Sequence, residues 1–314
     1  MTLDGDTVEA YDKEALVKRN PHVDFPAVEA SRPDYDGLRS WIPSKTPNPK
    51  WQPGDGASRS GWEQHRMIAI DPDSHDRTVN QNYKLMISST VPRPIALVST
   101  VSADGLCRNL APFSYFNNVS NDPPLYSLAF HGAEANDSLR NLLETGECCI
   151  SIVSDWFLEA ANFTSVNSPP KISEWELSGL HPKASDIVKV SYVGEAAVSM
   201  ECQLHSTQTI WSKTVVDDDG KPIRTATLVL VEAVMFHVRE DAIDEKRETV
   251  DTKVLRPVWR GGGIMYGTCF DGWETPRPDA FRVLRGTQRV LEILATSSHV
   301  SNGVKDTNDY QEIE

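Results

Sequence analysis

The sequence predicts an antiparallel β-barrel with added helices, a mainly β (α+β) class. Three observations carry this: apolar and polar residues alternate over long stretches, turn signals recur at short spacing, and no regular strand–helix–strand alternation occurs. Ile95 to Val101 is a short apolar run between Pro92-Arg93-Pro94 and Ala103-Asp104-Gly105, a strand followed by a turn. Asn109 to Phe116 reads as its hairpin partner, and Leu125 to Phe130 as a third strand after Asp122-Pro123-Pro124. One helix is clear: Leu139, Leu142 and Leu143 share a face, Asn136 or Asp137 can cap its start, and Gly146 suits its C-terminal end. A strand over Cys148 to Val153 and a helix over Trp156 to Asn162 follow. Val198, Met200, Cys202 and Leu204 then alternate with Ser199, Glu201, Gln203 and His205, the pattern of a half-buried strand. The acidic turn Asp217-Asp218-Asp219-Gly220 leads into the longest expected strand, Thr225 to Val238, and a helix is expected around Phe281 to Leu294. Ser298 to Glu314 reads as a disordered tail. No internal repeat is present.

Three regions emerge. Residues 1–82 hold eight of the twenty prolines, between Pro21 and Pro72, with Trp41, Trp51 and Trp62 among them. Proline at this density disfavours long helices and central strands, while three tryptophans argue for contact with a folded surface. The reading is an extended N-terminal arm packed on the core or on a partner subunit. Residues 83–270 form the barrel, and 271–314 a C-terminal helix and tail.

Composition narrows the function. Lys and Arg number 31 against 45 Asp and Glu in 314 residues, a net charge of 31 − 45 = −14. That balance argues against nucleic-acid binding, which depends on basic residues displacing counterions. No run reaches the roughly 18 apolar residues of a membrane span. Met1 to Tyr11 is acidic without a basic-then-apolar leader, so no secretory signal is expected and the cytoplasm is the expected location. The five cysteines (Cys107, Cys148, Cys149, Cys202, Cys269) are odd in number and form no CxxC pair, which fits small buried side chains in a reducing compartment. The eight histidines are scattered, so no metal is expected. GxSxG, Walker A and HExxH motifs are absent. Gly261-Gly262-Gly263 and Gly267 lack the strand–turn–helix setting of a dinucleotide loop and read as a tight turn.

The informative block runs from Val91 to Gly146. It offers a strand ending in Ser99 and Thr100, a second strand bearing Asn109, Ser114 and Asn117, and a helix whose first turn holds Asp137 and Ser138. Hydroxyls, amides and free backbone N–H groups can grip a polyol chain and the polar edge of a flat heterocycle, and a helix N-terminus can seat a phosphate. A polar strand edge with an ordinary N-cap accounts for the same residues.

The motifs PRPIALVST, NLAPFSYF, DPP and NDSLRN resemble those of the flavin reductase-like, FMN-binding split-barrel family. SRPDYDG and TPNPKWQPGDGA (within Ser31 to Ala57), SEWELSGL (Ser173 to Leu180) and LRPVWRGGGIMYG (Leu255 to Gly267) are similar to a fungal-type flavoprotein subgroup, so the likeness spans roughly residues 30 to 280. The resemblance implies a Greek-key split barrel with peripheral helices, a homodimer, bound FMN, and NADH or NADPH as hydride donor. It implies cofactor contacts at Val98, Ser99, Thr100, Asn109, Ala111, Pro112, Ser114, Phe116, Asp137 and Ser138. Asn136-Asp137-Ser138 stands where the family usually has Lys-Asp-Thr; losing a charged phosphate donor forfeits roughly 1.5–3 kcal/mol. Arg93 or Arg108 is the candidate to restore that charge. Asn121 replaces an expected histidine, and Gly261 a leucine.

The function expected is an FMN-dependent oxidoreductase that takes hydride from NAD(P)H and passes electrons to free flavin, oxygen or a small organic acceptor. A flavin-dependent oxygenase tailoring a specialised metabolite, or a barrel that binds flavin or another planar ligand without turnover, are the alternatives. No catalytic side chain is assigned. Glu232 interrupts the apolar face of Leu228, Leu230, Val234 and Phe236 and is a candidate buried carboxylate. His131 and His237 follow strand ends, and Trp211 could stack on a ring or lie in the core. Arg282, Arg285 and Arg289 fit a solvated helix face.

Overall fold

A computed structural model describes residues 22–169 and 172–298. Its main feature is a seven-stranded antiparallel sheet: β1 (Ala96–Val101), β2 (Arg108–Phe113), β3 (Phe116–Asn121), β4 (Pro124–His131), β5 (Glu147–Ile152), β6 (Val198–Val216) and β7 (Pro222–Val238). Their order across the sheet is β2-β1-β5-β6-β7-β4-β3. Ala96 and Val98 from β1, Phe116 from β3, Leu128 and Phe130 from β4, Ile150 from β5 and Val229 and Val231 from β7 share one buried cluster. Strands from both ends of the order thus face one interior, as in a barrel.

The helix α2 (Asp137–Thr145) follows α1 (Val79–Ser89) and closes that interior with Leu139 and Leu142. Asn136 caps it, its Oδ1 accepting the Leu139 N–H at 2.9 Å, and Gly146 ends it at φ +73°. Leu97, between Ala96 and Val98, points the opposite way into a second cluster with Leu110, Val153, Phe157 and Trp175. This second layer contains α3 (Leu158–Phe163) and α4 (Glu174–Ser178). Burial on both faces explains why β1 reads as a continuous apolar run.

The structure corrects several sequence expectations. α1 occupies Val79–Ser89, across the expected start of the β-rich region at Tyr83; its capping box joins Thr78 and Gln81. The strand expected from Asn109 to Phe116 breaks at Ser114 and Tyr115, and β3 emerges beyond it. β6 continues to Val216, twelve residues past Leu204, in a long hairpin with β7. Glu232 does not interrupt a core-facing row: Val229, Val231 and Ala233 face the core, while Leu228, Leu230 and Glu232 on the alternate row are only half-buried. Trp211 is 59% exposed and is not a core residue. The C-terminal helix is two, Phe281–Leu284 and Gln288–Ser298, and the tail from 299 lies outside the described residues. Gly263 has φ +60°, as a glycine turn requires, and a Cβ on Gly267 would come within 2.2 Å of the Trp259 ring. Cys148 and Cys149 point to opposite faces, into separate clusters, and all five cysteines are free.

The chain divides into two compact units: residues through Trp41 with Pro72–Phe270, and Ile42–Asp71 with the chain from Asp271 onward. In the second, Ile42–Pro43 pairs in parallel with Asp271–Gly272. Arg289 donates from Nε to the Pro53 carbonyl at 3.0 Å, and Gly54 (φ +90°) lies where a Cβ would meet Ile293. No helix among the described residues is long and apolar enough to cross a membrane.

Candidate functional site

A cavity of about 200 Å³ opens between β2, the N-terminus of α2, the 164–168 loop and the start of α4. Asn109, Ala111, Pro112 and Phe113 line it from β2; Asn136, Asp137 and Ser138 from the helix; Thr164 to Ser168 from the loop; and Glu174 from α4. Two buried side-chain bonds fix helix to sheet. Asn109 Nδ2 donates to Ser138 Oγ at 2.8 Å, and Asn141 Nδ2 donates to Thr100 Oγ1 at 3.2 Å. Ser138 and Asn141 are three apart and so share a helix face, which turns towards β1 and β2 while Leu139 and Leu142 enter the barrel. Thr100 and Asn109 are directly opposite in the β1–β2 register, so both latches start from one point on the sheet.

Glu174 is only 5% exposed. Its Oε2 accepts the Leu110 N–H at 3.1 Å and its Oε1 the Ser168 hydroxyl proton. β2 is an edge strand, so this carboxylate satisfies an outward amide that no neighbouring strand reaches. Asp137 pairs with Arg140 at 2.6 Å.

Of the cofactor contacts that the family resemblance implies, Asn109, Ala111, Pro112, Asp137 and Ser138 meet at this cavity. The others lie elsewhere. Val98 is in the barrel core; Ser99 donates to the Ser191 carbonyl at 2.6 Å; Thr100 holds Asn141; Phe116 is in the core, stacked on Tyr126; and Ser114 sits at the bend between β2 and β3. Neither proposed replacement for the family lysine lines the cavity. Arg93 is buried and gives its NH1 to the Ile87 and Thr90 carbonyls and its NH2 to the Gly261 carbonyl, tying the end of α1 to the glycine turn. Its Nε has no partner among the described residues. Arg108 is exposed and pairs with Glu176 at 2.6 Å. Sequence reasoning did not single out Glu174 or the 164–168 loop, although SEWELSGL carries the carboxylate.

A second buried carboxylate, Glu201 on β6, is fully enclosed. It accepts backbone N–H groups from Asp186, Ile187 and Val188 at 2.7, 2.7 and 2.9 Å and pairs with His237 Nε2 at 2.6 Å. Burial works to raise its pKa, yet these donors outweigh burial and hold it below the ordinary value of 4.5. His237 stacks on Tyr192 at 4.3 Å. Asp186, Glu201 and His237 offer ligand atoms within 4.8 Å of one another, but the Glu201 oxygens are already taken by these four bonds.

The donor set of the cavity suits the ribityl end of a flavin: an amide, hydroxyls and a helix N-terminus, with Pro112, Phe113 and Val166 as apolar wall. At about 200 Å³ the cavity is below the roughly 300–1,000 Å³ of sites that enclose a whole small molecule. It is therefore large enough for part of a flavin and too small for all of one.

Residues 88–255 match the flavin reductase like domain. Nitrilotriacetate monooxygenase component B from Bacillus cereus is 33% identical over 67% of this chain and all of its own, with a TM-score of 0.60. The 2-nitrobenzoate 2-nitroreductase NbaA of Pseudomonas fluorescens is 29% identical over 68% of this chain and 97% of its own, with a TM-score of 0.57. A flavin reductase with a split barrel domain from Shewanella frigidimarina shares the fold at 20% identity, covering 65% of this chain and 94% of its own, with a TM-score of 0.54. The chain is a split-barrel protein and belongs to the flavin reductase like domain family.

Proposed function

We propose that this protein is a flavin-dependent oxidoreductase, with NADH or NADPH as hydride donor and FMN as the flavin that family membership leads one to expect. The observation that carries this reading is the latched cavity, in which Asn109 and Ser138 are held by a buried hydrogen bond beside Pro112 and Phe113. A bound flavin supplies the hydride chemistry. The chain's own residues bind and orient it: Asn109, Ser138 and the first turn of α2 towards the polyol, Pro112, Phe113 and Val166 towards apolar surface. No protein acid or base is required for hydride transfer.

A second subunit completes the site in this proposal, because the cavity accommodates only part of a flavin. The outer half of the β6–β7 hairpin, with Ile210, Trp211, Val215 and Val216 exposed, is the apolar surface available for a homodimer. Light scattering checks this: twice the mass of the chain supports it, and a monomer that binds flavin fully rejects it.

Similarity to a monooxygenase component B and to a nitroreductase favours two acceptors, a partner oxygenase that receives reduced flavin and a nitroaromatic acid. The deciding experiment adds flavin anaerobically, then NADH or NADPH. Bleaching of the yellow absorption, followed by reoxidation with oxygen or 2-nitrobenzoate, is the expected result. Flavin binding without bleaching by either nucleotide would leave a binding protein and reject the oxidoreductase.

A further inference from the structure

We propose that the cavity at β2 and α2 takes a flavin without engaging a terminal phosphate, so that riboflavin binds at least as tightly as FMN. This rests on the flavin reading above and concerns the specificity of that same cavity.

A phosphate monoester carries about −1.5 to −2 charges near pH 7 and is ordinarily met by Lys, Arg or a cluster of free backbone amides. None of the described residues lining the cavity is Lys, Arg or His. Asn136, at the position of the family lysine, spends its side-chain oxygen capping α2. The two arginines that could compensate are committed elsewhere, Arg93 to three backbone carbonyls and Arg108 to Glu176. The cavity instead contains two carboxylates. Asp137 sits in the first turn of α2, where its charge already complements the helix dipole, and Arg140 offsets it. Glu174 is buried, with one backbone N–H and one hydroxyl as neutral partners and no cation among the described residues. A dianion placed beside it would meet uncompensated repulsion where the dielectric is low. Hydroxyls of the ribityl chain, by contrast, can donate to these oxygens as well as accept from Asn109 and Ser138.

The test is a flavin-fluorescence titration of the full chain with riboflavin and with FMN. The wild-type protein should bind riboflavin as tightly as FMN or more so. Glu174→Gln and Asn136→Lys should each raise the affinity for FMN relative to riboflavin by about tenfold or more. Asn136→Lys removes a helix cap, so Glu174→Gln carries the test if that variant does not fold. FMN binding about tenfold or more tighter than riboflavin in the wild type would overturn the proposal. Failure of both flavins to bind would overturn the flavin reading itself, whereas an FMN preference would leave that reading standing.

Discussion

Glu174 and Glu201 are the same residue type, both buried, in two regions of one barrel, and they do different things. Glu201 has three backbone amides and a histidine around it, so its charge is answered and its loop, 186–188, is pinned to β6. Glu174 has one amide and one hydroxyl and borders a cavity, so its charge remains a feature of that cavity. The number and kind of donors around a buried carboxylate, and not burial alone, separates an anchor from a determinant of binding.

The largest effect expected from this contrast is on stability. Glu201→Leu leaves three amides and His237 without their acceptor and should lower unfolding free energy by about 3–5 kcal/mol in a urea titration, with any flavin binding by the folded fraction unchanged. The effect depends on pH with a definite sign. A folded-state pKa below the ordinary 4.5 means the unfolded chain takes up the proton more readily. The stabilisation is complete above the unfolded pKa and is lost as pH falls through the folded value, so wild type and variant should converge in acid. An undiminished difference below the folded pKa would contradict the assignment.

Glu174→Gln should cost less, about 1–2 kcal/mol, because the amide oxygen still accepts the Leu110 N–H and the amide NH2 can donate to the Ser168 hydroxyl. If it proves as destabilising as Glu201→Leu, the two carboxylates are both anchors and the contrast fails. The Cys149 thiol, close to Glu201, is pushed up to about 12 chiefly by burial. It should resist alkylation at pH 8 in the wild type and become reactive as Glu201→Leu opens that region; equal rates in both would show that the loop is not pinned by Glu201. The smallest effect is expected on the far hairpin. Trp211→Ala should change subunit stability by less than about 0.5 kcal/mol, measured under conditions where the chain is monomeric.

How far the sequence reveals these regions follows from how local each is. The cap of α2 at Asn136, its stop at Gly146 and the β1–β2 hairpin depend on neighbours in the chain, and all were readable. α1 was readable too, from Thr78 and Gln81, but the prolines before it drew the reading towards an extended arm. The buried role of Glu201 was not. Ser199 and Glu201 alternate with apolar residues as a solvent-facing row would, and only the loop at Val188 and Val190, folding over that face, makes them interior. Glu232 shows the same limit in reverse, since burial of β7 is decided by which row meets the barrel. At the site, Asn109, Ala111, Pro112, Asp137 and Ser138 converge because one hairpin and one helix carry them, whereas Glu174 arrives from a distant segment to cover an edge strand. Arg93 looked available for a phosphate in sequence; the three carbonyls that use its guanidinium come from α1 and from a turn 168 residues away.

Whether flavin is held in this cavity is tested most directly by the flavin dissociation constant of Asn109→Ala beside the wild type. Losing the amide and the Ser138 latch should weaken binding by about tenfold, while the variant unfolds within about 1–2 kcal/mol of the wild type. A folded Asn109→Ala protein with unchanged flavin affinity would contradict the assignment of this cavity.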